Sequence, residues 1–229
     1  MSETKQAERI LTTITGRVEK KVLVWLAERM PGWVTSDMLT IVGSLGAFCT
    51  GLGFFMTNHG INWLWLSIVG LAVNWFGDSL DGTLARVRNT QRPIYGYYID
   101  HTVDCVNEAF MFIGAGLSPL LHLDLAMAAF ILYLFMTINV SINAHLKSEF
   151  RLTYAKLGPT EFRLIIMIVC LALIFIPSLC AYGLTIRDEV FSLLDIVAMV
   201  IVIFLTVIYL ETIVNDARHY AKVDPLKKK

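Results

Sequence analysis

The sequence predicts an all-α polytopic membrane protein: six spanning helices preceded by an amphipathic juxtamembrane helix. Three observations predict it. The 229 residues are 56% apolar and 17% charged, with a mean hydropathy of +0.62, too apolar for an ordinary soluble domain. Six apolar runs fall near residues 37–57, 62–86, 95–118, 124–146, 163–184 and 191–213, each close to the roughly 20 residues that a spanning helix needs. All but Arg187 of the 19 lysines and arginines then lie on one side, as the positive-inside rule requires.

Taken in order, residues 1–35 form the surface helix. Leu11, Ile14, Val18, Val22, Trp25 and Leu26 recur at helical spacing with Arg17, Lys20 and Lys21 between them, the pattern of a helix lying on a membrane or packing on its own protein. Charges interrupt the stretch and no small-residue cleavage site follows, so it does not read as a signal peptide. The six-span bundle occupies 36–215, with Ser36 or Asp37 as the expected cap of the first span. Pro177 should kink the fifth span. Residues 216–229 form a basic tail. An even number of spans places both termini and the basic connections in the cytoplasm, with membrane lipids as the surroundings. No internal repeat divides the chain. Cys49, Cys105, Cys170 and Cys180 lie in or beside apolar runs without a CxxC pair, the usage of buried reduced thiols. A net charge of zero gives no electrostatic case for nucleic acid.

Within this apolar chain residues 78–104 stand out. They read Asp78-x-x-Asp81-Gly82-x-x-Ala85-Arg86, a gap of nine residues, then Gly96-x-x-x-Asp100-x-x-x-Asp104. A charge inside a bilayer costs at least about 2.5–3.5 kcal/mol, so clustered carboxylates need a partner, and a divalent cation is the simplest. At about 100° per residue, Asp78, Asp81, Gly82 and Ala85 share one helix face. Gly96, Asp100 and Asp104 share a face of the next helix. Two facing helices would bring all four carboxylates to one point, toward the cytoplasmic half. Gly82 and Ala85 leave space beside the backbone, and Arg86 can aim a guanidinium at the same place. Cation, arginine and space suit a pyrophosphate. A carboxylate left partly free could take a proton from an attacking hydroxyl.

These residues resemble the signature of the CDP-alcohol phosphotransferase family, with all eight fixed positions present and a gap one residue longer than usual. The resemblance extends to a juxtamembrane helix followed by six spans. It implies transfer of a substituted phosphate from a CDP-linked donor to a hydroxyl acceptor, with release of CMP. It also implies two Mg2+ or Mn2+ ions on Asp78, Asp81, Asp100 and Asp104, with Asp104 also the general base. Gly82, Ala85 and Arg86 would contact the CDP part, and a homodimer is expected.

Six spans fit the members that use CDP-diacylglycerol as donor with a small polar acceptor. Asp100-His101 resembles the choline/ethanolamine branch instead, where the donor is a CDP-amino-alcohol, the acceptor is diacylglycerol and the histidine is a candidate base. Tyr97 stands where that branch has a glutamate. After the fourth span, His145, Lys147, Arg151 and Arg163 resemble the basic residues that hold a phosphorylated polyol in the phosphatidylinositol-phosphate synthase branch, and they serve equally as positive-inside charge. From a different class, a divalent-cation transporter would also place aspartates in the membrane, but it leaves Gly82, Ala85 and Arg86 unexplained. A scaffold without activity would not need the signature intact.

Overall fold

The computed structural model describes residues 8–9, 16–147, 149–150, 159–176, 178–186 and 189–226. Helices dominate: α1 (Gly16–Arg29), α2 (Ser36–Met56), α3 (Leu64–Val87), α4 (Pro93–Gly116), α5 (Leu123–Lys147), α6 (Pro159–Phe175), the single turn α7 (Ser178–Ala181) and α8 (Leu193–Val223). Two short two-stranded sheets accompany them. Glu8–Arg9 pairs parallel with Glu149–Phe150, and Gly183–Ile186 pairs antiparallel with Glu189–Ser192.

Three helical stretches among the described residues, Ser36–His59, Leu123–Leu146 and Leu193–Val223, are long and apolar enough to cross a membrane. α3 and α4 have the length, 24 residues each, but the polar groups of the motif dilute their hydropathy.

α2 is the centre of the packing, lying against both α3 and α4. Glycine makes this approach possible. A Cβ on Gly46 would fall on the Asn74 backbone amide of α3, and one on Gly114 of α4 would fall on Gly51 of α2. Small residues let membrane helices meet backbone to backbone. α6 then packs on α3, α5 on α4, and α8 on α5.

The ends of α3 and α4 have local causes. α3 stops in a Schellman turn: Asn89 adopts a left-handed φ of 53°, its N–H bonds the Arg86 carbonyl, and the Thr90 N–H bonds the Ala85 carbonyl at 3.0 Å. Asparagine tolerates that backbone better than most residues. α4 opens with Pro93 in its first turn, where a missing N–H costs nothing. Arg88 donates to the carbonyls of Met30 (2.9 Å), Pro31 (2.8 Å) and Val34, stapling the α1–α2 connection to the end of α3.

Several expectations need correction. The cap of α2 is Thr35, whose hydroxyl accepts from the Met38 N–H at 3.2 Å, because Ser36 is already helical and its hydroxyl bonds the Asp81 carbonyl at 2.9 Å. The fifth apolar run does not kink as one helix: α6 ends at Phe175, and the run closes as a separate turn and a strand. Pro177 lies outside the described residues. Helix continues past the sixth run to Val223. Of the cysteines, all unpaired, Cys170 is buried, Cys49 and Cys105 are half-buried, and Cys180 is exposed.

In α1, Leu23 and Ala27 are buried against Leu39, Leu80 and Leu84. Val18, Val22 and Trp25 remain exposed, so α1 packs inward on one face and presents apolar groups outward on another. Leu11 and Ile14 lie outside the described residues.

At the far end, Ser192 and Asp195 form a capping box at the start of α8. The buried Asp195 carboxylate also accepts from the His122 backbone N–H and pairs with its ring Nδ1, each at 2.7 Å. The α4–α5 connection is thereby fastened to α8.

Candidate active site

α3 and α4 bring together Asp78, Asp100 and Asp104, one carboxylate oxygen from each lying within 4.8 Å of the others. The backbone next to Asp78 is fixed by packing, since a Cβ on the preceding Gly77 would strike Gly43 of α2. Asp100 and Asp104 follow one turn apart on α4. Asp78 and Asp104 are half-buried and Asp100 is exposed, so the cluster opens at one edge.

Asp81 is placed differently. Its Oδ2 accepts from the Thr40 hydroxyl of α2 at 2.6 Å and its Oδ1 from the Gly82 N–H. The carboxylate is therefore held at the α2 side of the motif, and it is not one of the three that share a point. The hydroxyl-bearing start of α2 carried no signal in the sequence that it would meet Asp81.

Arg163 enters from α6. Its Nη2 donates to Asp78 Oδ2 at 2.8 Å, with side chains only 17% and 22% exposed. The guanidinium offsets part of the charge of three clustered carboxylates. The remaining negative charge and the all-oxygen donor set suit a hard divalent cation such as Mg2+ or Mn2+. One turn beyond Asp104, Glu108 takes a hydrogen bond from Tyr133 of α5, while its buried Oε2 has no hydrogen-bond partner among the described residues.

The small residues divide into two groups. Gly43, Gly46, Gly70 and Gly77 are demanded by backbone contact. A Cβ on Gly96 would meet nothing within 4 Å, and one on Gly82 would meet only the Arg86 guanidinium at 3.4 Å. Gly82 and Gly96 therefore open space beside the carboxylates instead of packing helices. Arg86 is exposed, with its Nη2 donating to Thr83 at 2.9 Å, and its guanidinium lies over Gly82. Ala85 is half-buried beside them.

His101 stacks on Tyr97 with centroids 4.1 Å apart. Its Nδ1 lies 3.0 Å from the Tyr97 carbonyl and 3.8 Å from Asp100 Oδ2. Of the basic residues after the fourth run, Arg163 reaches the carboxylates. His145 is exposed near the end of α5. Lys147 is the last residue of α5, but its side chain and the whole of Arg151 lie outside the described residues.

Sequence reasoning missed a polar seam between α5 and α8. Asp216 Oδ2 accepts from the side-chain amides of Asn139 (3.2 Å) and Asn143 (2.7 Å), and Tyr220 donates to Asn143 Oδ1 at 2.6 Å. Asn139 and Asn143 at a four-residue spacing in an apolar run were the available signal.

Residues 33–208 match the family described as CDP-alcohol phosphatidyltransferase. The chain is also similar to three curated proteins. Cholinephosphotransferase 1 of Gallus gallus is 30% identical over 97 residues, 40% of this chain and 29% of that protein. Archaetidylinositol phosphate synthase of Pyrococcus horikoshii is 32% identical over 91 residues, 40% of this chain and 45% of that protein. Phosphatidylinositol phosphate synthase of Cutibacterium acnes is 35% identical over 86 residues, 37% of this chain and 38% of that protein. In each case the match spans less than half of the relative's own length.

Proposed function

The chain belongs to the CDP-alcohol phosphatidyltransferase family, and on that premise we propose that it is a membrane enzyme of phospholipid synthesis. In this reading it moves the phosphatidyl group of CDP-diacylglycerol to the hydroxyl of a small polar acceptor, a phosphorylated polyol in particular. The carrying observation is the meeting of Asp78, Asp100 and Asp104 beside the open flank of Gly82, Gly96 and Arg86.

Asp78, Asp100 and Asp104 would hold a first divalent ion. Asp81, oriented by the Thr40 hydroxyl, would help to hold a second. Bound there, Mg2+ or Mn2+ supplies positive charge that polarises a phosphoryl oxygen and offsets charge on the leaving group. Gly82 and Ala85 admit the CDP part close to the backbone, and Arg86 pairs with its pyrophosphate. Asp104 takes the proton of the acceptor hydroxyl at a carboxylate oxygen. The acceptor oxygen forms its bond to the lipid-bearing phosphorus as the bond from that phosphorus to CMP breaks. Arg163, with His145, Lys147 and Arg151, would receive the phosphate of the acceptor.

A second reading has its own support. The match to the Gallus gallus cholinephosphotransferase and the neighbouring Asp100 and His101 favour a CDP-amino-alcohol donor with diacylglycerol as acceptor and His101 as base. Cation transport is disfavoured, because Arg163 sets a positive charge against Asp78, where a cation path would need attraction.

α2, α3, α4, α5, α6 and α8 would be the six spans, within a bundle over 36–215 and below a surface helix in 1–35. α6, at 17 residues, sits at the short limit of about 17–25 for a span. Both termini and the carboxylates would face the cytoplasm.

Exchange of radiolabelled CMP tests the donor. With CDP-diacylglycerol as donor, labelled CMP enters CDP-diacylglycerol when the chain is incubated with phosphatidylinositol phosphate or another product of this class. Label entering CDP-choline from phosphatidylcholine instead would establish the second reading and overturn the first.

A further inference from the structure

Glu19 lies on α1, outside the motif, yet one of its oxygens joins three helices. Glu19 Oε1 accepts from the Trp75 indole at 2.8 Å, the Ser79 hydroxyl at 3.5 Å and the Thr160 hydroxyl at 2.7 Å. Trp75 and Ser79 flank Asp78 on α3. Thr160 is in the first turn of α6, one turn before Arg163. α6 is thus tied to α3 twice at the same level, once through Thr160 and Glu19 and once through Arg163 and Asp78. The hydrophobic seat of α1, Leu23 and Ala27 against Leu80 and Leu84, begins one turn after Glu19 and fixes where that carboxylate stands.

From this geometry we infer that Glu19 is a positioning residue: it docks the first turn of α6 on α3 and so sets the reach of Arg163 to the carboxylate cluster. The inference deepens the proposed function, and its kinetic part rests on that reading. An acceptor that serves three donors across two helices fixes both at once, whereas each hydroxyl alone could rotate away. Glu19 bonds Trp75, Ser79 and Thr160 rather than the carboxylate cluster, so its loss should act through Arg163. The same link gives the surface helix a mechanical route to the site, because the opposite face of α1 carries the exposed Val18, Val22 and Trp25.

The test uses the full chain purified in detergent, as Glu19→Ala, Glu19→Gln, Arg163→Ala and the Glu19→Ala/Arg163→Ala double variant. Amide hydrogen exchange over α6 is the readout that does not need turnover. Glu19→Ala should speed exchange in the first turns of α6, and Glu19→Gln, whose amide oxygen accepts the same bonds, should restore wild-type protection. With CDP-diacylglycerol and a phosphorylated polyol, Glu19→Ala should raise the acceptor KM about tenfold with little change in kcat, the size expected for a lost hydrogen bond to a charged group. The double variant should be no worse than Arg163→Ala. If Glu19→Ala does not fold, Thr160→Val removes one donor only and should give the same exchange signature. Unchanged exchange over α6, or losses that add in the double variant, would overturn the inference. If the wild type releases no CMP while exchange responds as stated, the reaction reading fails and the positioning role stands.

Discussion

Asp104 sits half-buried, one turn from the exposed Asp100, so protein shields it while its neighbour meets solvent. That environment suits a group that takes a proton beside the reacting phosphorus. Asp104→Asn keeps shape and hydrogen-bonding capacity but loses the negative charge that favours a cation and the oxygen that would accept the proton. It should abolish CMP release while the thermal unfolding midpoint stays near that of the wild type. Asp81 gives a subtler case. Thr40 donates to its carboxylate at 2.6 Å, so Thr40→Val removes a hydrogen bond to a charged group, worth about 1.5–3 kcal/mol. Turnover should fall by about tenfold or more, with Asp81 still present. The residues of the motif were legible because their spacing is helical and their charge is costly in an apolar chain. The partners Thr40, Ser36 and Glu19 were not, because hydroxyls and a surface glutamate have no periodic signature until the helices meet.

At the scale of elements, the glycines separate packing from function. Gly46 lies where α2 and α3 touch backbone to backbone, and a methyl group there meets the Asn74 amide. Gly46→Ala should therefore cost about 1–3 kcal/mol of stability, seen as a lower unfolding midpoint. Gly82→Ala meets only the tip of Arg86 and gains helix propensity, about 0.5–1 kcal/mol. It should unfold no earlier than the wild type yet raise the KM for the CDP-linked donor. The α5–α8 seam makes the converse case. α8 packs chiefly on α5, and Asp216 with Asn139 and Asn143 fixes their register. Asn143→Leu should lower the unfolding midpoint by an amount equivalent to about 0.6–2 kcal/mol. Helix existence was readable from apolar run length. The break after Phe175 and the hairpin at 183–192 were not, since a run containing proline reads alike as a kinked helix or a stopped one.

For the whole molecule, the basic residues predict orientation. Cys180 is exposed and precedes Arg187, the one basic residue that the sequence sets apart from the rest. In sealed vesicles with the cytoplasmic face inward, a membrane-impermeant maleimide should label Cys180, and tags at both termini should stay protected from external protease. Labelling of Cys180 only after permeabilisation would invert the topology. The carboxylates lie at the end where α1, the α3–α4 turn and the start of α6 gather.

Everything chemical in this account depends on α3 and α4 pooling carboxylates around a divalent ion. Equilibrium Mn2+ binding, read by the loss of free-ion electron paramagnetic resonance signal on titrating purified protein, tests that directly. The wild type should bind Mn2+ saturably, Mg2+ should compete, and the Asp78→Asn/Asp100→Asn/Asp104→Asn variant, still folded by circular dichroism, should bind none. Equal binding by that variant, or no saturable binding by the wild type, would contradict the account.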